Sequence, residues 1–136
     1  MSLIIQRITI VRTKRPDFHT INDQLQWLAG SLGMFNLRDK DKSQFRLFIE
    51  LVKLSKSQDV ISSDELALRC GLSRGTVVHH LNKLLESGLI ISNKNRYELR
   101  VNTLYALIEE IEKDYLKVFK EMKHVAKDLD DRLGLH

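Results

Sequence analysis

One cysteine, one proline and one tryptophan occur in 136 residues, and six glycines are thinly spread. The lone Cys70 excludes an internal disulfide framework and any multi-cysteine zinc site. So little proline and glycine argues against an all-β sandwich or barrel and favours a helix-rich chain. No apolar run approaches the roughly 20 residues that a membrane-spanning helix needs, so no membrane partner is expected. Met1 to Arg12 lacks the early charge, long apolar core and cleavage site of a signal peptide. There is no Gly-rich phosphate loop, nucleophile motif or metal-ligand cluster, so the reading is a non-enzyme with no cofactor and no metal. With 43% hydrophobic and 29% charged residues, most of the chain can build a core rather than stay disordered. The length suits one domain, or one small domain with a helical attachment, and the expected setting is soluble and cytoplasmic.

The net charge of +4 is unevenly placed. Between Leu66 and Val101 the bases Arg69, Arg74, Lys83, Lys94, Arg96 and Arg100 face only the acids Glu86 and Glu98. From Asn102 onward acids outnumber bases by eight to six. Charge alone leaves two readings of the middle window: scatter on solvated faces, or a surface turned toward a polyanion.

Periodicity divides the chain into residues 1–42, 43–101 and 102–136. Ile4 to Val11 is β-branched and reads as a strand. Ile21, Leu25, Leu28 and Leu32 mark one face of a helix over residues 18–32, stopped by Gly33. The charged run Arg38-Asp39-Lys40-Asp41-Lys42 reads as loop. Phe45, Phe48, Ile49 and Val52 then predict a helix over residues 43–55. Ser62 with Glu65 has the spacing of a capping box before a short helix over residues 64–69. Ser73 has the character of the next N-cap, before a helix over residues 74–86 closed by Gly88. Residues 89–92 and 96–100 are strand candidates around the turn composition of Asn93-Lys94-Asn95. Thr103 to Leu133 reads as one helix of about 45 Å.

Helix, short helix, tight turn, capped helix and hairpin are the layout of a winged helix-turn-helix. The segment Leu72 to Ile90, LSRGTVVHHLNKLLESGLI, resembles the turn and recognition helix of ArsR/MarR-type winged-helix transcription regulators, bacterial or archaeal. The resemblance spans about Phe45 to Arg100. It implies a mainly α fold with a small β-hairpin wing, and double-stranded DNA as partner. On the residues themselves, Val77, Val78, Leu81, Leu84 and Leu85 cluster on one side of the second helix, by 100° per residue. The opposite side presents Gly75, Thr76, His79 and Lys83, with Ser73 and Arg74 at the first turn. These suit a major groove, where Arg74 is able to grip a guanine edge or a phosphate. Lys94 and Arg96 on the wing are placed for the flanking backbone. His79 and His80 point about 100° apart and do not share an ion. Metal sensors of the resembling family use paired cysteines or an Asp/His/Glu set on the last helix. Here Cys70 stands alone, and His124, Asp128 and Asp131 lack that spacing. A winged-helix protein-interaction module without DNA contact is the rival reading.

In the last helix two sevenfold apolar series interleave: Ile108, Tyr115, Met122 and Leu129 with Leu104, Ile111, Val118 and Val125. Phe119, Ala126 and Leu133 widen the stripe beyond a strict two-stranded zipper. The expectation is a homodimer built on paired long helices in a coiled-coil-like bundle, with the helix of Ile21 to Leu32 and Trp27 laid against them. No effector is identified by the sequence.

Overall fold

The computed structural model describes residues 5–136. The chain divides after Asn102 into two compact units. The first holds α1 (Ile21–Ser31), α2 (Ser43–Ser55), α3 (Ser63–Cys70), α4 (Arg74–Ser87), β1 (Ile90–Asn93) and β2 (Arg96–Leu99). The second is α5 (Leu104–Leu133) with its short end segments. The fold is mainly helical with one small hairpin, a winged helix-turn-helix followed by a long C-terminal helix.

Each helix of the first unit starts where a side chain satisfies its orphan N–H groups. Thr20 and Asp23 form a reciprocal capping box on α1. Ser62 Oγ accepts from Glu65 N at 3.2 Å on α3, and Ser73 Oγ accepts from Thr76 N at 3.2 Å on α4. The cap of α2 is different. Lys42 occupies the N-cap position in a left-handed conformation and supplies no side-chain bond. Asp39, further back in the loop, takes Ser43 N at 2.9 Å and Gln44 N at 3.1 Å instead.

α2 lies at the centre, packed on α3, α4 and β2. Its Leu47, Phe48 and Leu51 meet a core built with Leu66 of α3, Val77, Leu81 and Leu84 of α4, and Leu89, Ile90 and Leu99 of the hairpin. Burying each of these large side chains contributes about 1.5–3 kcal/mol. Met34 joins the buried set from the connector after α1. β1 and β2 pair antiparallel, with Ile90 opposite Leu99 and Asn93 opposite Arg96. Lys94 and Asn95 between them both have positive φ, as a two-residue type I′ hairpin turn requires. An isolated bridge from Ile61 to Tyr97 extends the hairpin on its other edge.

The expected N-terminal strand is corrected. Ile4 lies outside the described residues, and residues 5–11 run without a strand. Arg7 N bonds to Glu86 O, and Val11 N to Ser31 O, both at 2.9 Å. The segment thus reaches the last turns of two helices rather than an adjacent strand, so no ladder forms. Gly33 (φ +73°) and Gly88 (φ +84°) are where it comes close, since a Cβ at either would collide with Thr9 or Gln6. On α1, Ile21 is 75% exposed, whereas Leu32 is buried, so the inward face begins later than the periodicity predicts.

In the second unit, Thr103 Oγ1 accepts from Ala106 N at 3.1 Å and begins α5, which Gly134 ends in a left-handed cap. The helix has 30 residues and a length of about 45 Å. Leu107 and Ile111 are buried; every residue from Leu116 onward is exposed. Among the described residues no helix is long and apolar enough to cross a membrane.

Candidate nucleic-acid interface

The turn between α3 and α4 is set by Gly71, whose φ of +63° lets the chain leave α3 within a residue. Leu72 N then bonds back to Ala67 O at 3.0 Å. Ser73, exposed, is engaged twice with Thr76: its Oγ accepts the Thr76 N–H and lies 2.8 Å from Thr76 Oγ1. Its first role is therefore to start the helix, and it holds the Thr76 hydroxyl in place.

α4 buries Val77, His80, Leu81, Leu84 and Ser87. These fall at i, i+3, i+4, i+7 and i+10, a single stripe that contains His80. Val78, expected on this side, is 38% exposed, while His80 is 5% exposed. The helix is thus rotated slightly from the arrangement its apolar residues suggest, because the stripe spacing outweighs the polarity of one imidazole. Arg74, Gly75, His79 and Lys83 remain exposed, with Thr76 half-buried at their edge. No atom lies within 4 Å of a Cβ placed at Gly75, so that part of the surface is open.

The exposed face of α4 has an acid near it that α4 does not supply. Arg74 Nε lies 3.5 Å from Asp64 Oδ1 of α3, with both side chains exposed. No acidic residue lies within pairing distance of Lys83, Lys94 or Arg96 among the described residues. On the wing, Lys94 and Arg96 border a shallow recess with Ile91, Val60 and Glu98. Ser63 Oγ, 3.2 Å from Asn95 Oδ1, ties the tip of the wing to the start of α3.

His80 links α4 to the connector before α2. Its Nε2 is 3.9 Å from Asp39 Oδ2, beyond hydrogen-bond distance, and its Nδ1 has no partner among the described residues. Burial holds the imidazole below its ordinary pKa; Asp39 opposes this, and His79 and Lys83 add to it. Burial raises Asp39, but bonds from Ser43 and Gln44, with His80, bring its carboxyl below the usual value. The same connector walls an open groove whose other side is Thr76, His79 and Lys83. Sequence reading misses this wall, since an alternating charged run carries no periodic signal.

Residues 42–91 match the model of the winged helix-turn-helix DNA-binding family. The match covers α2, α3, α4 and the first half of β1, so it contains the helix-turn-helix and ends inside the hairpin. It supports a DNA-binding regulator with double-stranded DNA as partner. No match was found among the curated proteins or the solved structures.

Of the residues expected on α5, Ile111 is buried and Leu104, Ile108 and Tyr115 are half-buried. Val118, Met122, Val125 and Leu129 are exposed. Leu107, outside both sevenfold series, is fully buried. The two halves of the stripe thus differ: the first is largely buried and the second is open.

Proposed function

We propose that this chain is a homodimeric, sequence-specific transcription regulator of the ArsR/MarR-like type, acting on double-stranded DNA in the cytoplasm. The observation that carries the reading is the exposed face of α4. Arg74, Thr76, His79 and Lys83 follow a sharply capped helix start and have no acid among them on α4. In this reading the first turn of α4 enters the major groove, where its N–H groups and side-chain donors meet base edges and phosphate. Arg74 leaves Asp64 for a guanine edge or a phosphate, Thr76 and His79 donate to bases or backbone, and Gly75 admits close approach. Lys94 and Arg96 bring the wing to the flanking backbone. The exposed half of α5, with Val118, Met122, Val125 and Leu129, pairs two copies, which then meet a palindromic site about one helical turn between half-sites.

The test is a fluorescence-anisotropy titration of duplex DNA fragments drawn from a genome-wide map of bound sites. Salt-sensitive binding is expected, weakened about tenfold or more by Arg74→Ala combined with Lys83→Ala. Unchanged affinity in that variant refutes the reading face. A dimer without salt-sensitive DNA affinity at any site is the outcome that favours a protein-interaction module instead.

A further inference from the structure

The groove beside α4 has a second wall that no part of the recognition helix supplies. It comes from the connector between α1 and α2, in the run Arg38-Asp39-Lys40-Asp41. By sequence this run alternates in sign and favours no partner. In the fold its charges are separated. Asp39 turns inward, where its carboxylate takes the N–H groups of Ser43 and Gln44, and its negative charge faces the start of α2. Arg38 and Lys40 stay exposed, and neither is in an ion pair among the described residues.

The backbone that carries these two cations is held. Asn36 Oδ1 accepts from Arg38 N and from Asp39 N, each at 2.9 Å, and Lys42 N bonds to Asp39 O at 3.1 Å. Two cations on a pinned loop therefore stand across an open groove from Lys83 and His79. Asp41 is the one exposed acid on that wall.

We propose that this connector is a second DNA-contacting element, in which Arg38 and Lys40 neutralise phosphates of the strand bordering the groove read by α4. The proposal rests on the DNA reading of α4 and adds a site outside the turn, helix and wing. A phosphodiester strand fits because it is a polyanion, and cations on both walls of this groove, Arg38 and Lys40 on one and Lys83 on the other, are able to neutralise its phosphates. Such contacts set register and affinity without reading sequence.

The experiment measures duplex affinity against salt concentration for the 136-residue chain and for Arg38→Gln combined with Lys40→Gln. Each phosphate that is no longer neutralised lowers the slope of log affinity against log salt by about 0.9, so a decrease of about two per bound subunit is expected. Sequence preference, measured against shuffled duplexes, stays as in the parent. Asp41→Asn is expected to tighten binding. Both positions are exposed, and unchanged thermal melting verifies that folding is intact. An unchanged slope in the double variant overturns the proposal while leaving the reading face of α4 standing. An altered base preference, or weaker binding by Asp41→Asn, overturns it as well. Absence of salt-sensitive duplex binding in the parent overturns the reading face and this proposal together.

Discussion

Asp39 reaches two elements at once: its carboxylate caps α2 through Ser43 and Gln44, and the same group stands 3.9 Å from Nε2 of His80 on α4. One side chain thereby joins the start of the central helix to the helix that carries the proposed reading face. Ser43 and Gln44 are both buried, so their N–H groups rely on the carboxylate as their acceptor.

Asp39→Ala leaves two buried N–H groups without an acceptor. The expected loss is about 1–3 kcal/mol, read as a lower urea midpoint with an unchanged slope. Asp39→Asn retains a capping oxygen and is expected to lose about 1 kcal/mol or less. Equal stability of the alanine variant and the parent refutes the role of Asp39 as the cap of α2.

His80 makes stability depend on pH. The unfolded chain takes up its proton near pH 6.5, and the folded chain does so only at lower pH, because the imidazole is buried. Between those two values the unfolded state binds more protons. Stability therefore declines as pH falls through 6.5 and levels off once the folded imidazole is protonated. Asp39 adds a second decline below its ordinary value of 3.8, as its lowered folded pKa is passed. Urea midpoints measured from pH 8 downward are expected to show the first step in the parent and to lose it in His80→Gln. A step of the same size in that variant assigns it to another group.

The Arg74–Asp64 pair is exposed at both ends, so Asp64→Asn is expected to shift stability by less than about 1 kcal/mol. Its effect belongs in binding. With the acid gone, Arg74 is available to DNA without breaking a pair, and affinity is expected to rise by up to about fivefold. Anisotropy titrations at fixed salt measure it, and a fall in affinity contradicts the assignment of Arg74 to the interface.

Dimerisation is best probed where the stripe on α5 is open. Val118→Glu combined with Val125→Glu places two charges on the exposed half and is expected to yield folded monomer in sedimentation. Ile111 is unsuitable, because it is buried and a charge there unfolds as well as dissociates. A double variant that still sediments as a dimer refutes pairing through this face.

Local rules suffice for most elements. Ser62, Ser73 and Gly88 stand at the helix boundaries that their chemistry marks, since capping is a bond between near neighbours. The extent of α2 and the long reach of α5 follow from apolar periodicity in the same way. Residues 5–11 mislead because β-branched composition states a preference for extended backbone, while a strand also needs an edge to pair with. The polarity of His80 suggests an outward place, yet its register on α4 puts it with Val77 and Leu84.

The order of helices, the turn and the wing, and with them the donors on α4, are legible in the chain alone, because they depend on spacing along one chain. Which charges face outward is settled by packing between segments. Arg38 and Asp39 are adjacent and opposite in sign, but the buried amides of α2 draw one carboxylate inward and leave its cationic neighbours exposed. That asymmetry arises from packing between segments, which no local pattern encodes.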